Sequence, residues 1–499
     1  MSLTILAAVA TIMLGFHSCG GNSNTTDPQT KPDTVVTADK SKVVGYITSA
    51  NRSNLMRRKE IDFSTTDQSM SPFLINIDES TTYQTVDGFG AALTGSTCYN
   101  LLKMNETNRA AFLKQTFDTN SGYGFSMARI SIGSSDFGLD EYSCCDTQGI
   151  EFFDLNTYDK RDVIPVLKEV LAINPNLKIV GSPWSCPRWM KIGVNNTLPY
   201  SSWTSGRLNP KYYADYAEYF VRWIQSMQEE GIPIYAITVQ NEPLNHGNSM
   251  SLYMPWQTQQ EFVRDYLGPA FKTAGITTKI LAFDHNYNYD GISEQTDYPM
   301  KIFADADAAK YFDGSAWHNY GGNVSELDDA RAKYPDKSIY FTEASIGTWN
   351  YSFDSCLIND FGSIFLGTLS RWCKGVTLWN LMLDENRGPN RPGGCTTCFG
   401  AVDIRTDYST ISYNTHYYQL AHAASAVATG AVRIGYSGYQ PDGVEYQFFK
   451  NPDGSFGMLL LNSSSQTKTM TISDGTKAFT IEVPTKSIAS YRWNSKENN

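Results

Sequence analysis

A chain of 499 residues, 41% hydrophobic and 18% charged, carries enough apolar content for a large folded core, which excludes a disordered polar chain. A net charge of −11 and a pI near 5.1, with no Lys/Arg-rich block to neutralise phosphates, argue against nucleic acid as a partner and favour a neutral substrate. The 10 Trp, 30 Tyr and 25 Phe suit a surface where flat rings stack on sugar faces, although ordinary core packing accounts for most of them.

Residues 5–16, ILAAVATIMLGF, form an apolar run too short to span a bilayer, followed by HSC and a polar stretch, so 1–19 reads as an export segment. Small Ser18 before Cys19 matches a bacterial lipoprotein cleavage site, with lipid on Cys19 attaching the protein to a membrane at the cell surface, outer membrane or periplasm. MSLTI lacks Lys and Arg, and Phe16 departs from that pattern, so simple secretion with Cys19 removed is the alternative. Residues 20–40 are nearly devoid of apolar side chains and read as a flexible tether.

VVGYITSA (43–50) and SPFLINIDES (71–80) are strand-like and place 41–84 outside the central fold, in need of partners elsewhere. Eight apolar runs then alternate with longer amphipathic stretches: VDGFGAAL at 86, FSMARISIG at 125, LKIVGSPW at 177 and IYAITVQNEP at 234, then KILAFDHN at 279, SAWHNY at 315, SIYFTEA at 338 and GVTLWN at 375. That order predicts an α/β fold, a (β/α)8 barrel over 85–424. RDVIPVLKEVLAI and the stretch from Asn209-Pro210 to Gly231 read as two of its helices. From VRIGYSGY onward short β-branched runs recur, with NPDG at 451–454 as a hairpin turn, so 425–497 joins 41–84 in a β-sandwich built from both chain ends.

Besides Cys19, eight cysteines remain, an even number compatible with disulfides in an oxidising compartment. Cys395 and Cys398 form a lone C-x-x-C that reads as a loop disulfide ahead of half a zinc site or a redox pair. Adjacent Cys144 and Cys145 would take different partners or form a vicinal bridge.

Glu242 and Glu343 end the fourth and seventh runs, 101 residues apart; at roughly 34 residues per strand-loop-helix unit that is three units. Both carboxylates would face one mouth, as glycoside hydrolysis requires: one protonates the departing oxygen and the other attacks or stabilises the cationic sugar carbon. Asp136, Trp184, Asn241, His285, His318, Tyr320, Trp379 and Asn380 gather at the same ends. Whichever of the two is the acid must hold a proton, which calls for a pKa raised by burial and by the charge of the other. Arg129 on the second run is the natural cation to keep Glu343 ionised, with another barrel-mouth acid as its alternative partner. His246 and His285 lack metal-ligand spacing and read as structural; no metal or organic cofactor is needed.

DGFGAALTGS, RISIGSSDF, GSPWSCPRWMK, TVQNEP, WHNY, YFTEAS and LWNLMLDENRGPN, in this order, resemble glycoside hydrolase family 30, the group of glucosylceramidases and endo-β-1,6-glucanases. The resemblance implies a barrel joined to a β-sandwich, retaining chemistry, Glu242 as acid/base and Glu343 as the nucleophile that carries a covalent glycosyl intermediate. It also implies Asn241 on the sugar 2-hydroxyl, Asp136 and Trp184 on other hydroxyls, and Trp379 along the sugar face. His318 and Tyr320 join them on the substrate, with loop orientation by His318 and donation to Glu343 by Tyr320 as the alternatives, and Asn380 supports the site. The Gly/Pro-rich segment LDENRGPNRPGGCTTCFGAVDI and the DFG after RISIGSS resemble the β-1,6-glucanase branch, so β-1,6-glucan is the expected substrate. Glucosylceramide, a β-xyloside or another β-glucoside is the alternative within the family. A glycan-binding surface protein without catalysis is the alternative of another class.

Overall fold

The computed structural model describes residues 41–195, 201–287 and 292–494; the export segment, Cys19 and the tether lie outside the described residues. Eight parallel strands close a barrel: β1 Gly88–Ala92, β2 Met127–Ser131, β3 Lys178–Ser182, β4 Ala236–Thr238, β5 Lys279–Asn286, β6 Gly314–His318, β7 Ser338–Glu343 and β8 Cys373–Leu378. All eight predicted runs supply one strand each. β8 pairs with β1 from Gly375↔Gly88 to Leu378↔Ala91, which seals the ring and leaves no open edge.

Met127, Val180, Ala236, Leu281, Ala316 and Tyr340, from six different strands, fill the barrel's interior. Gly375 makes room for one of them, since a Cβ there would stand 2.5 Å from the Met127 sulfur. The stretch after Asn209 forms one tight turn at Pro210–Tyr212 and then a helix over Tyr213–Glu229, with the Asn209 side chain accepting from the Lys211 N–H. Gly231 ends it at φ 78°, a conformation that a side chain would strain.

The second region is a nine-stranded sheet in the order 57–61, 43–49, 487–493, 456–462, 444–450, 432–438, 74–85, 468–473, 478–483, which draws strands from both chain ends. Its two ends share one core: Phe479 on one edge strand packs 4.9 Å from Trp493 on the third strand from the other edge, so the sheet folds into two layers. Phe456–Asn462 is buried throughout because its two faces serve different neighbours. Met458 and Leu460 enter the sandwich core, whereas Leu459 and Leu461 join the barrel's core. Helix Thr415–Ala426 lies at that seam, where His422 is hydrogen-bonded to Ser490 and Thr48 at 2.9 Å each.

Cys395 and Cys398 are disulfide-bonded, as expected of a loop clip. The wider disulfide framework is not found among the described residues: Cys98, Cys144, Cys145, Cys186, Cys356 and Cys373 are buried thiols. Cys144 and Cys145 neither bridge each other nor take separate partners. The Cys144 thiol points at Asp159 (3.6 Å), and that of Cys145 at the Gly149 carbonyl (3.2 Å). These sites use cysteine as a small apolar residue.

Candidate active site

Strand ends and local backbone turns bring the site together at the C-terminal mouth. β4 is short, Ala236–Thr238, and by Glu242 the chain has turned into the left-handed region at φ 43°. Two backbone bonds hold that turn, Glu242 N–H to the Asp284 carbonyl (2.9 Å) and Asn245 N–H to the Glu242 carbonyl (2.9 Å). Glu343 is the last residue of β7. Glu242 and Glu343 are 7% and 6% exposed, and one carboxylate oxygen of each, together with a ring nitrogen of His318, lies within 4.8 Å of the others.

Arg129, with no exposed surface, is the hub. It donates to Glu343 (2.6 Å), the Asn241 side-chain oxygen (2.7 Å), Asp284 (2.7 Å) and Ser182 (3.2 Å). Both expected partnerships are therefore present, with Glu343 and with a second acid. The Tyr320 hydroxyl donates to the other Glu343 oxygen at 2.9 Å and lies 3.0 Å from Ser345. His318 bridges Asp284 (3.0 Å) and Glu242 (3.4 Å) with its two ring nitrogens, so it contacts the carboxyl groups directly.

Asp284 is the central residue that sequence reasoning missed. It is wholly buried and accepts from Arg129, His318, Thr238 (2.6 Å) and Thr342 (2.6 Å). A register shift between Phe283 and His285, with positive φ at Phe283 and Asp284, breaks the in-out alternation of β5. Strict alternation gives no hint of this bulge; the polar pair within FDHN was the available signal. His285 stands beside it, buried, with Nδ1 unpartnered among the described residues and its pKa lowered to about 4 by burial. Asn245, which donates to Glu242 at 2.8 Å, was missed as well.

Trp184 and Trp379 stack on each other 4.9 Å apart, with the Arg129 guanidinium over both rings at 5.0 and 5.4 Å. Asp136 is buried near them, and one of its carboxyl oxygens lacks a partner among the described residues. Burial, then the charges of Glu343 and Glu242, push its pKa up to about 8, which makes it a neutral acid able to donate a hydrogen bond. Asn380 is wholly buried and accepts from Thr94 at 2.7 Å, tying the end of β8 to the loop after β1. His246 is at the surface, 3.4 Å from Ser205.

The proton distribution differs from expectation. Burial raises Glu242, but the His318 N–H and the charges of His285 and His318 outweigh it and bring its pKa to about 2. Burial alone would lower His318; the charge of Glu343 and bonds to Asp284 and Glu242 lift it to about 9. Glu242 and His318 thus share one proton across their 3.4 Å contact. Burial and the Glu242 charge raise Glu343, opposed by His318 and Arg129. Burial would also raise Asp284, yet Arg129 and His318 hold it well below the carboxylate range. Glu242, His318 and Glu343 form the one cluster of possible metal ligands among the described residues, and Arg129 together with imidazolium His318 already supplies its countercharge.

A closed parallel barrel whose mouth buries two facing carboxyl groups is the architecture of a sugar-cleaving enzyme. Residues 86–426 match the glycosyl hydrolase family 30 TIM-barrel domain, and 430–491 match the family 30 beta sandwich domain. The endo-1,6-beta-D-glucanase BGN16.3 of Trichoderma harzianum is 31% identical over 84% of this chain and 87% of its own. The lysosomal acid glucosylceramidase of Mus musculus is 26% identical over 84% and 83%. The solved endo-beta1,6-glucanase BT3312 is 52% identical with a TM-score of 0.88, covering 91% of this chain and 99% of its own. The chain belongs to glycosyl hydrolase family 30, and it is a glycosidase.

Proposed function

We propose that this enzyme hydrolyses β-1,6-glucan with retention of configuration. The observation that carries the substrate is the 52% identity, over nearly the whole fold, to an endo-beta1,6-glucanase. Carboxylate oxygens within 4.8 Å support retention, since retaining sites hold their carboxyl groups about 5–5.5 Å apart and inverting sites leave room for a water between them.

Glu343, oriented by Arg129 and Tyr320, attacks the anomeric carbon. The bond to the departing sugar breaks with its electron pair on oxygen, which takes the proton that Glu242 and His318 share. Glu242, now a carboxylate, removes a proton from water; that water attacks the anomeric carbon and releases Glu343. In this reading Asn241, held by Arg129, bonds the 2-hydroxyl, Asp136 and Trp184 meet the other hydroxyls, and Trp379 flanks the ring; the Arg129–Asn241 bond and the Trp184–Trp379 stack support it. Product analysis on a linear β-1,6-glucan tests the reading, and product length separates internal from terminal cleavage. Inactivity there with turnover of glucosylceramide or an aryl xyloside would move the assignment within the family.

The export reading is proposed with it: the enzyme leaves the cytoplasm through residues 1–19 and is anchored by lipid on Cys19, in keeping with a polymeric substrate met outside the cell. The mass of the mature N-terminus tests this, and an unmodified chain starting beyond Cys19 would reject the anchor.

A further inference from the structure

Arg391 lies in the loop after β8 and is only 4% exposed, a costly place for a cation without matching acceptors. Its guanidinium donates to the Ser135 carbonyl (3.2 Å), to Glu141 (2.9 and 3.1 Å) and to the Ser249 hydroxyl (2.8 Å). One side chain therefore joins the loops after β2, β4 and β8. One of these contacts, together with Gly394 of the same loop, brackets Asp136. The Ser135 carbonyl belongs to the peptide that precedes it, and Gly394 is pressed against the peptide that follows, where a Cβ would stand 2.5 Å from the Asp136 carbonyl oxygen. Gly394 is itself held by its N–H bond to the Arg391 carbonyl (2.9 Å). Asp136 thus owes its place to residues 391–394, while its own carboxyl keeps an unpartnered, buried oxygen.

We propose that Arg391 is a positioning residue for substrate recognition: by latching three loops into one wall, it sets where the Asp136 carboxyl meets the sugar. This rests on the reading of Asp136 as a sugar-contacting group. A lysine would not replace it, because its donors radiate from one nitrogen, whereas the guanidinium fork reaches separate acceptors from three nitrogens in one plane. Loosening the latch should let Asp136 drift, with weaker discrimination among sugars that differ in their hydroxyls, and the carboxyl pair left in place.

The test compares Arg391→Met, Gly394→Ala and Asp136→Asn in the full chain. Activated aryl β-glucoside, β-xyloside and β-galactoside supply the readout, since they report the sugar pocket without the leaving sugar. Arg391→Met and Gly394→Ala should each lower kcat/KM for the glucoside about tenfold, mainly through KM, and should shrink the preference for glucoside over the other two by a similar factor. Asp136→Asn should do the same, and Arg391→Met added to it should change the preference less than about twofold. A general loss of structure would lower all three substrates together and would not show this ratio change. Should Arg391→Met fail to fold, Gly394→Ala displaces Asp136 with the latch intact, and Glu141→Gln weakens the latch at a side chain that is 39% exposed. A folded Arg391→Met with wild-type preference, where Asp136→Asn has lost it, overturns the proposal. An unchanged Asp136→Asn rejects the reading of Asp136 beneath it.

Discussion

At the floor of the barrel, Asp87 accepts from Lys178 (2.5 Å), Tyr340 (2.6 Å) and Tyr235 (2.9 Å), with Lys374 at 3.7 Å. At the mouth, Arg129 and His318 face three acids, Asp284, Glu343 and Glu242. Both clusters plug the same barrel, but cations outnumber carboxylates at the floor and the reverse holds at the mouth. Burial would raise Asp87, yet bonds from Lys178 and Tyr340 and the charge of Lys374 hold it below its ordinary value, so its protonation is settled. The mouth keeps a proton that can move between groups. A buried carboxylate matched by cations has one fixed protonation state, whereas a cluster short of cations leaves a proton to be shared.

Breaking the mouth at the proposed nucleophile should have the largest effect. Glu343→Gln should lower kcat by on the order of 10³-fold or more while calorimetry still detects glycan binding, and a 2-fluoro-glucoside should label Glu343 in the parent enzyme only, as read by peptide mass. Asp284→Asn comes next, with kcat/KM down about 10²-fold, because Arg129 and His318 lose their shared anchor. The same variant sharpens the pH argument. His318, raised from 6.5 to about 9, keeps the shared proton below that range and loses it as pH rises through about 9. The ion pairs it makes therefore stabilise the fold fully below about 6.5 and no longer above about 9. The alkaline limb of kcat/KM should lie near 9 in the parent enzyme and move to lower pH in Asp284→Asn; an unmoved limb would detach His318 from that limb.

Tyr320→Phe removes one donor from Glu343 and should reduce kcat about tenfold with KM nearly unchanged in steady-state kinetics. The smallest effect on activity, within about twofold, belongs to Asp87→Asn at the floor. That variant should instead lose about 1–3 kcal/mol in denaturant unfolding, at the modest end because Lys178 and Lys374 keep 20% and 24% of their side-chain surface exposed. Its depressed carboxyl stabilises the parent enzyme above about 3.8, a contribution lost as pH falls through the lower folded value, so the stability gap between parent and variant should narrow in acid.

Period and spacing were enough for the frame. Eight apolar runs at regular intervals, terminal β-branched runs and two glutamates three units apart identify the barrel, the sandwich and the acid pair, because strand faces and repeat lengths are local or additive properties of a chain. The 12-residue strand Leu74–Thr85 runs longer than the expected one, since pairing with Val432–Gly438 extends it. The cysteines were legible only at Cys395 and Cys398, where proximity along the chain forces proximity in space. The others depend on what surrounds them, and they are packed as apolar residues.

What sequence determined by itself, then, is that Glu242 and Glu343 share a mouth, and that the chemistry there is glycosidic. Tertiary structure alone decided which groups control the proton and the pocket. Asp284 enters through a bulge that reverses strand parity, and His318 outweighs burial at Glu242. Arg391 reaches Asp136's loop from more than 250 residues away along the chain. Each of these depends on distances between groups remote in sequence, and electrostatic and hydrogen-bond energies change over fractions of an ångström that no pattern of residue types encodes.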